Sequence, residues 1–214
     1  MLKIVVFDSG YGGELLADYL ESRLPVVEIA REIDWRNAES SQHSAKIARR
    51  AAERSLRPHL NRVDLIIFAN YLLSMTSLKY FRRKYPHQAF LGIKLEHPGN
   101  YKPSTYILAT SALAKTISYK LFVHRIKGKT LILDDWPILI DDGELGHSKV
   151  RRDLSTIMPD KPDQIILGCS QFADLEDELR RVLGHNVKIL NNFEEVFRQT
   201  CRTLKIRGSL PKQK

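Results

Sequence analysis

Cysteine is the scarcest chemistry in this sequence: two thiols, Cys169 and Cys201, in 214 residues. No cysteine or histidine recurs around either at metal-ligand spacing, which excludes a disulfide framework and a structural zinc site. The expected compartment is a reducing cytoplasm. Long apolar runs are also missing. None approaches the roughly 20 residues a bilayer-spanning helix needs, so no membrane partner is expected. The opening Met1-Leu2-Lys3-Ile4-Val5-Val6-Phe7-Asp8 meets an acid after a few apolar residues and reads as a first strand, not a signal peptide. Gly10, Gly12 and Gly13 lack the Gly-Lys-Ser/Thr ending of a phosphate loop, and Gly-Tyr-Gly-Gly is not a dinucleotide fingerprint, so a nucleotide cofactor is not expected.

Negative charge is in deficit. Thirty-four Lys and Arg stand against 25 Asp and Glu, a formal +9, with a pI near 9.6. Such a balance suits nucleic acid, an anionic surface or acidic metabolites. The charge is scattered, however, over pairs such as Arg49-Arg50, Arg82-Arg83-Lys84 and Arg151-Arg152 and over the end Lys212-Gln213-Lys214. No continuous basic helix or RNA-binding signature gathers it. The charge therefore reads as solvated helix faces, and nucleic acid is not the expected partner. A 43% hydrophobic content supports an ordinary buried core.

Short β-branched runs alternate with longer amphipathic stretches along the whole chain. Strands are expected at 2–7, 26–33, 64–69 and 90–95, with helices at 12–24, 41–60 and 75–85 between them. The alternation then restarts, with strands at 106–109, 130–133, 164–167 and 187–190 and helices at 112–123, 147–158, 174–183 and 193–204. This predicts an α/β fold of two pseudo-symmetric lobes, each a mostly parallel sheet flanked by helices, with the site in the cleft between them. Glu96-His97-Pro98-Gly99 is the natural crossing. The expected division is residues 1–96 plus 190–208 as the first lobe, 97–189 as the second, and 209–214 as a basic tail.

Ligands of parallel α/β sheets bind beyond the carboxyl ends of the strands. Here those ends carry small polar groups: Asp8-Ser9-Gly10, Asn70, Thr110-Ser111 and Gly168-Cys169-Ser170-Gln171. Their convergence predicts a small polar ligand. Each residue has a plainer reading as well. Asp8 and Ser9 fit a turn or helix cap, Thr110 an N-cap, Asn70 a strand terminator, and Cys169 a small buried hydrophobe. Cys201, on the last amphipathic stretch, reads as packing. The pairs Asp134-Asp135 and Asp141-Asp142 lack a histidine at ligand spacing, and no metal is expected.

The same residues carry a resemblance. Asp8-Ser9-Gly10-Tyr11-Gly12-Gly13 resembles the opening Asp-Ser-Gly-x-Gly-Gly of glutamate racemases. Asp64-Leu65-Ile66-Ile67-Phe68-Ala69-Asn70 is similar to the strand that ends there in Ala-Cys-Asn-Thr. Ala109-Thr110 through Tyr119 resembles the family's Ala-Thr segment, and Leu167-Gly168-Cys169-Ser170-Gln171-Phe172 its Leu-Gly-Cys-Thr-His-Tyr. The match runs along nearly the whole chain and implies the aspartate/glutamate racemase superfamily. In such enzymes two facing cysteines move the α-proton of an acidic amino acid without a cofactor. The resemblance makes Cys169 the catalytic residue and Asp8, Ser9, Asn70, Thr110, Ser170 and Gln171 the substrate-binding set. A small carboxylate or amino acid is the implied ligand, and a homodimer is compatible with it.

The departures fall on the site. Ala69 stands where the resemblance places the first cysteine, Tyr71 replaces a threonine, Gln171 a histidine and Leu113 a second threonine. The family's Pro-Tyr-Gly turn has no counterpart near Arg36–Ser41, although Asp34 matches the acid before it. Alanine moves no proton, so a standard two-cysteine mechanism is not expected. An isomerase acting through another group is one reading. Alternatives are a single-cysteine decarboxylase resembling arylmalonate decarboxylases, with Leu72, Leu73 and Leu113 as its apolar pocket, and a non-catalytic small-acid-binding or regulatory protein. Tyr71, His97 and His147 are the groups to inspect for the missing acid.

Overall fold

Runs such as Leu65-Ile66-Ile67-Phe68 and Gln164-Ile165-Ile166-Leu167 have no polar alternation, the pattern of strands covered on both faces. In the computed structural model, which describes residues 1–37, 44–95, 102, 104–158 and 161–206, both runs are central strands buried along their whole length. The first sheet holds β1 (Leu2–Asp8), β2 (Val27–Ile33), β3 (Leu65–Phe68) and β4 (Phe90–Gly92) in the order β2-β1-β3-β4. The second holds β5 (Thr105–Ala109), β6 (Lys129–Ile132), β7 (Gln164–Leu167) and β8 (Lys188–Leu190) in the order β6-β5-β7-β8. Every pairing is parallel. One strand order thus occurs twice, the two-lobed α/β arrangement the alternation predicts. The 96–101 crossing and the 209–214 tail lie outside the described residues.

Helices connect the strands: α1 (Gly12–Glu21), α2 (Ala45–Ser55), α3 (Tyr71–Lys84), α4 (Ser111–Ala114), α5 (Ile117–Ile126), α6 (Trp136–Asp141), α7 (His147–Ile157), α8 (Glu176–Leu183) and α9 (Phe193–Leu204). Helices α1 and α2 end earlier than the expected 24 and 60, and three further differences from the sequence expectation have a local cause. Helix α3 begins four residues earlier, because the Asn70 side chain accepts the Leu73 N–H at 2.8 Å and caps it there. The stretch 112–123 is two helices, because Thr116 caps a new start by accepting the Tyr119 N–H at 3.2 Å. Helix α6 escapes periodicity altogether, being only six residues long with a proline in its first turn.

Three apolar layers hold the lobes. The central one is continuous between the sheets: Ile4, Val6, Leu65 and Ile67 of the first share it with Ile107, Ala109 and Ile166 of the second. Phe193, Val196 and Phe197 of α9 join the same layer beside Leu16 and Leu20 of α1, and Tyr19 Oη donates to Glu194 Oε2 at 2.7 Å. Behind the first sheet an aromatic cluster of Phe7, Phe68, Phe81 and Phe90 closes the outer face, with Phe68 and Phe81 edge to face at 4.9 Å. Trp136 and Phe172 do the same behind the second. Each such buried ring contributes on the order of 2–3 kcal/mol. This packing fixes the strand ends, and so the side chains that follow them.

Candidate functional site

The strand order reverses beside β1 and β3 in one lobe and beside β5 and β7 in the other, the place where open α/β sheets bind ligands. Asp8 ends β1 and is buried. Its Oδ1 accepts the Ser9 N–H at 2.7 Å and Asn70 Nδ2 at 3.2 Å. Its Oδ2 accepts the Ser170 hydroxyl, from the other lobe, at 2.9 Å. Burial disfavours the charge more than these three bonds restore it, and the Asp8 pKa is raised from 3.8 to about 6. The carboxyl can therefore hold or release a proton near neutrality.

Across the cleft, Cys169 follows β7. Its thiol donates to Gln171 Oε1 at 2.8 Å. Burial, and then the negative charge of Asp8, push the thiol well above its ordinary pKa, so Cys169 is an S–H group at neutral pH. The Gln171 amide passes the interaction on, Nε2 lying 3.3 Å from Asp141 Oδ2 and 3.4 Å from Oδ1. Asp141, the last residue of α6, also accepts the Tyr11 backbone N–H of the first lobe at 2.8 Å. Ser170 to Asp8 and Tyr11 to Asp141 are thus bonds that span the lobes. Glycine makes the approach feasible: a Cβ at Gly12 would collide with the Ser170 side chain and stand 2.8 Å from the Gln171 nitrogen.

Asn70, Thr110, Cys169, Ser170 and Gln171 of the predicted set line one small cavity with Tyr71, Leu72, Leu113 and Gly168. Its volume is about 20 Å³, room for about one water. Among the described residues no lysine or arginine is in its lining. Asp8 and Ser9 reach the group through their bonds to Asn70 and Ser170. Thr110 also caps α4, accepting the Leu113 N–H at 3.4 Å, and the Ser111 N–H donates to Asp134 Oδ1 at 2.6 Å.

Other candidates are placed elsewhere or otherwise engaged. Ala69 is fully buried in the central layer. The Tyr71 hydroxyl donates to the Asn191 carbonyl and accepts Asn192 Nδ2, each at 3.0 Å, and burial raises its pKa further from the base range. The Asp34 N–H bonds the Asp8 carbonyl, extending the β1–β2 ladder. His147 pairs with Glu178 at an exposed position, and His97 lies outside the described residues. Leu73 packs in the outer layer of the first lobe, not in the cleft. Cys201 packs against the central layer. Among the described residues no His, Cys, Asp and Glu cluster is suited to a metal, and no helix is long and apolar enough to cross a membrane. Asp141 is the site residue that sequence reasoning missed. Its Asp-Asp pair drew notice only as a metal motif, and the helix that aims it was invisible.

A far larger groove, about 570 Å³, opens between α3 and α5 and is lined by Met75, Lys79, Arg82, Lys94, Phe122 and Arg125, among others. It shares no lining residue with the small cavity, so size alone does not mark the chemistry here.

No family model matches the chain. It is 27% identical over 218 residues to the glutamate racemase of Herpetosiphon aurantiacus, covering 94% of this chain and 84% of that one. Among solved structures it is similar to the Escherichia coli glutamate racemase in complex with L-glutamate and an activator, UDP-MurNAc-ala. The TM-score is 0.82 at 21% identity, over 97% of this chain and 84% of the other. The glutamate racemase of Campylobacter jejuni gives a TM-score of 0.79 at 21% identity, over 100% and 89%.

Proposed function

We propose that the chain, a glutamate racemase-like protein of the aspartate/glutamate racemase superfamily, moves the α-proton of a small acidic amino acid between Asp8 and Cys169. The observation that carries this reading is the pairing itself. The first lobe supplies Asp8 and the second Cys169, and Ser170, the neighbour of Cys169, bonds Asp8 directly. Inverting a carbon needs a base on one face and an acid on the other. Ionised Asp8 is the base at neutral pH, and the Cys169 thiol, kept protonated, is the acid. A proton leaves the α-carbon for Asp8 as the S–H proton arrives on the opposite face, leaving a thiolate. The reverse direction starts from that thiolate and protonated Asp8.

Ser9, Asn70, Thr110 and Ser170 supply the hydroxyl and amide groups that hold the ligand's carboxylate and amine, and Gln171 holds the thiol. No cofactor is required, because both proton carriers are side chains. The ligand enters by parting the lobes, since the closed cavity admits about one water. The lobes divide in this reading at 96/97, with 190–208 returning to the first, and the working compartment is the cytoplasm. A homodimer is the assembly to test by light scattering. The one-cysteine decarboxylase reading is not favoured: the relatives named above are racemases, and Leu73 faces away from the cleft.

The test is α-proton exchange followed by NMR in D₂O with each enantiomer of glutamate and aspartate. Deuterium should enter with inversion in the wild type. Cys169→Ala and Asp8→Asn should each slow inversion by at least about 100-fold, the usual scale of a lost acid or base. Exchange that is absent in the wild type ends this reading, and inversion undiminished in Asp8→Asn removes Asp8 from it.

A further inference from the structure

Gln171 does not titrate, so what it offers Cys169 depends on which end of its amide faces the sulfur. The oxygen end accepts the S–H bond, whereas the nitrogen end would donate to the sulfur. In the structure the Cys169 thiol meets Oε1 at 2.8 Å. The Nε2 end is turned to Asp141, 3.3 Å from Oδ2 and 3.4 Å from Oδ1. A carboxylate only accepts hydrogen bonds, so ionised Asp141 favours this orientation of the amide over its reverse. Gln171 is buried, and a Cβ built on Gly10 would stand 2.5 Å from its Nε2 and 2.7 Å from Asp141 Oδ2. Bare backbone of the first lobe thus lies against the pair. The Tyr11 N–H holds the carboxylate in turn, donating to Oδ1 at 2.8 Å.

We propose that Asp141 is a positioning residue for Cys169: by accepting from Gln171 Nε2 it keeps the amide oxygen on the thiol, and so keeps the proton on sulfur. The inference deepens the acid role given to Cys169 above and rests on that reading only for its catalytic consequence. Burial, then the charge of Asp8 from β1 and that of Asp141 from α6, favour the thiol, whereas the backbone N–H groups of Gln171 and Ser170 favour the thiolate. Tyr71, at the start of α3, is the other titratable group beside the sulfur. The Gln171 amide is the neighbour whose effect reverses when it turns, its oxygen stabilising the thiol and its nitrogen the thiolate. Asp141→Asn would turn it. The Tyr11 N–H keeps the oxygen of the new amide, whose nitrogen is then left facing Gln171 Nε2. Two N–H₂ groups do not bond each other, so Gln171 reverses and presents Nε2 to the sulfur.

The experiment reads the S–H stretching band of the full chain by infrared spectroscopy, in a Cys201→Ser background so that the band belongs to Cys169. Asp141→Asn should move the band to the higher frequency of an unbonded thiol. It should also speed alkylation by iodoacetamide at mildly alkaline pH by about 3- to 10-fold. That is the gain expected when a hydrogen bond to the charged sulfur raises its thiolate fraction and lowers its nucleophilicity in part. Gln171→Leu reaches the unbonded thiol without touching Asp141, which guards against a folding defect in the first variant. In that second background Asp141→Asn should leave the band in place and change alkylation by less than about twofold, because coupled residues lose their effect together. A band that Asp141→Asn or Gln171→Leu alone leaves unmoved overturns the proposal. So does an alkylation gain that persists in the Gln171→Leu background, since the charge of Asp141 would then act on the sulfur directly. The expected shifts with no α-proton exchange in the wild type leave the positioning role standing and end the racemase reading instead.

Discussion

The two lobes share one strand order, yet equivalent strand ends carry different chemistry. In the first lobe β1 ends in the carboxylate of Asp8 and β3 runs into Ala69 and Asn70. In the second, β5 runs into Thr110 and β7 into Cys169. Burial raises the pKa of both titratable groups, but from different starting points. Asp8 arrives at about 6 and exchanges its proton near neutrality, whereas the thiol, already weakly acidic, stays protonated. One repeated strand order fixes where these groups stand, and desolvation then decides which keeps its proton at neutral pH and which exchanges it.

The sharpest way to break this comparison is to remove the titration from one lobe. The Asp8 pKa lies above its unfolded value of 3.8, so the folded state binds the proton more tightly. Its contribution to stability is full below pH 4 and is lost as pH rises through about 6, a change of about 3 kcal/mol for a shift of this size. Asp8→Asn keeps the oxygen that accepts from Ser9 and Asn70, and the Ser170 hydroxyl can turn to accept instead of donate. Urea denaturation between pH 4 and 7 should show this fall in the wild type and a flatter profile in the variant. An unchanged profile would mean that the Asp8 charge is not desolvated and that the electrostatic difference between the lobes is wrong.

A second substitution tests how closely the lobes meet. Alanine at position 12 would help an isolated helix, but here its Cβ collides with Ser170. Gly12→Ala should cost about 2 kcal/mol, within the range for overpacked cores, and weaken the Ser170–Asp8 bond. A stabilised variant would show that the lobes part without strain, and the narrow cavity would lose its meaning.

How far the sequence could be read follows from the same physics. The central strands were legible because burial on both faces forces continuous apolar runs, and the long helices because one buried stripe forces a period. The strand-end residues were legible as candidates because parallel α/β sheets bind ligands beyond their strands' carboxyl ends, even though Asn70 and Thr110 also cap helices there. Asp141 was not: a six-residue helix has no period, and its partner Tyr11 is 130 residues away. The split at Lys115-Thr116 and the early start of α3 were hidden for a related reason. Both depend on a single side chain turning back onto a backbone N–H, which no apolar pattern records. The small size of the cavity was beyond any motif, since it depends on Gly10 and Gly12 meeting side chains of the opposite lobe.

The smallest effect compares two caps at equivalent places. Asn70 and Thr110 each follow a central strand and accept an N–H three residues on, at 2.8 Å and 3.4 Å respectively. Asn70 caps a 14-residue helix and also donates to Asp8, whereas Thr110 caps a four-residue turn. Asn70→Ala should therefore cost about 2 kcal/mol, the upper end of the capping range, and Thr110→Ala about 0.5 kcal/mol. Chemical denaturation of the two variants side by side decides the order. Equal losses would mean that the caps act alone and that the bond from Asn70 to Asp8 adds nothing. A larger loss at Thr110 would move the structural weight of the cleft to the second lobe.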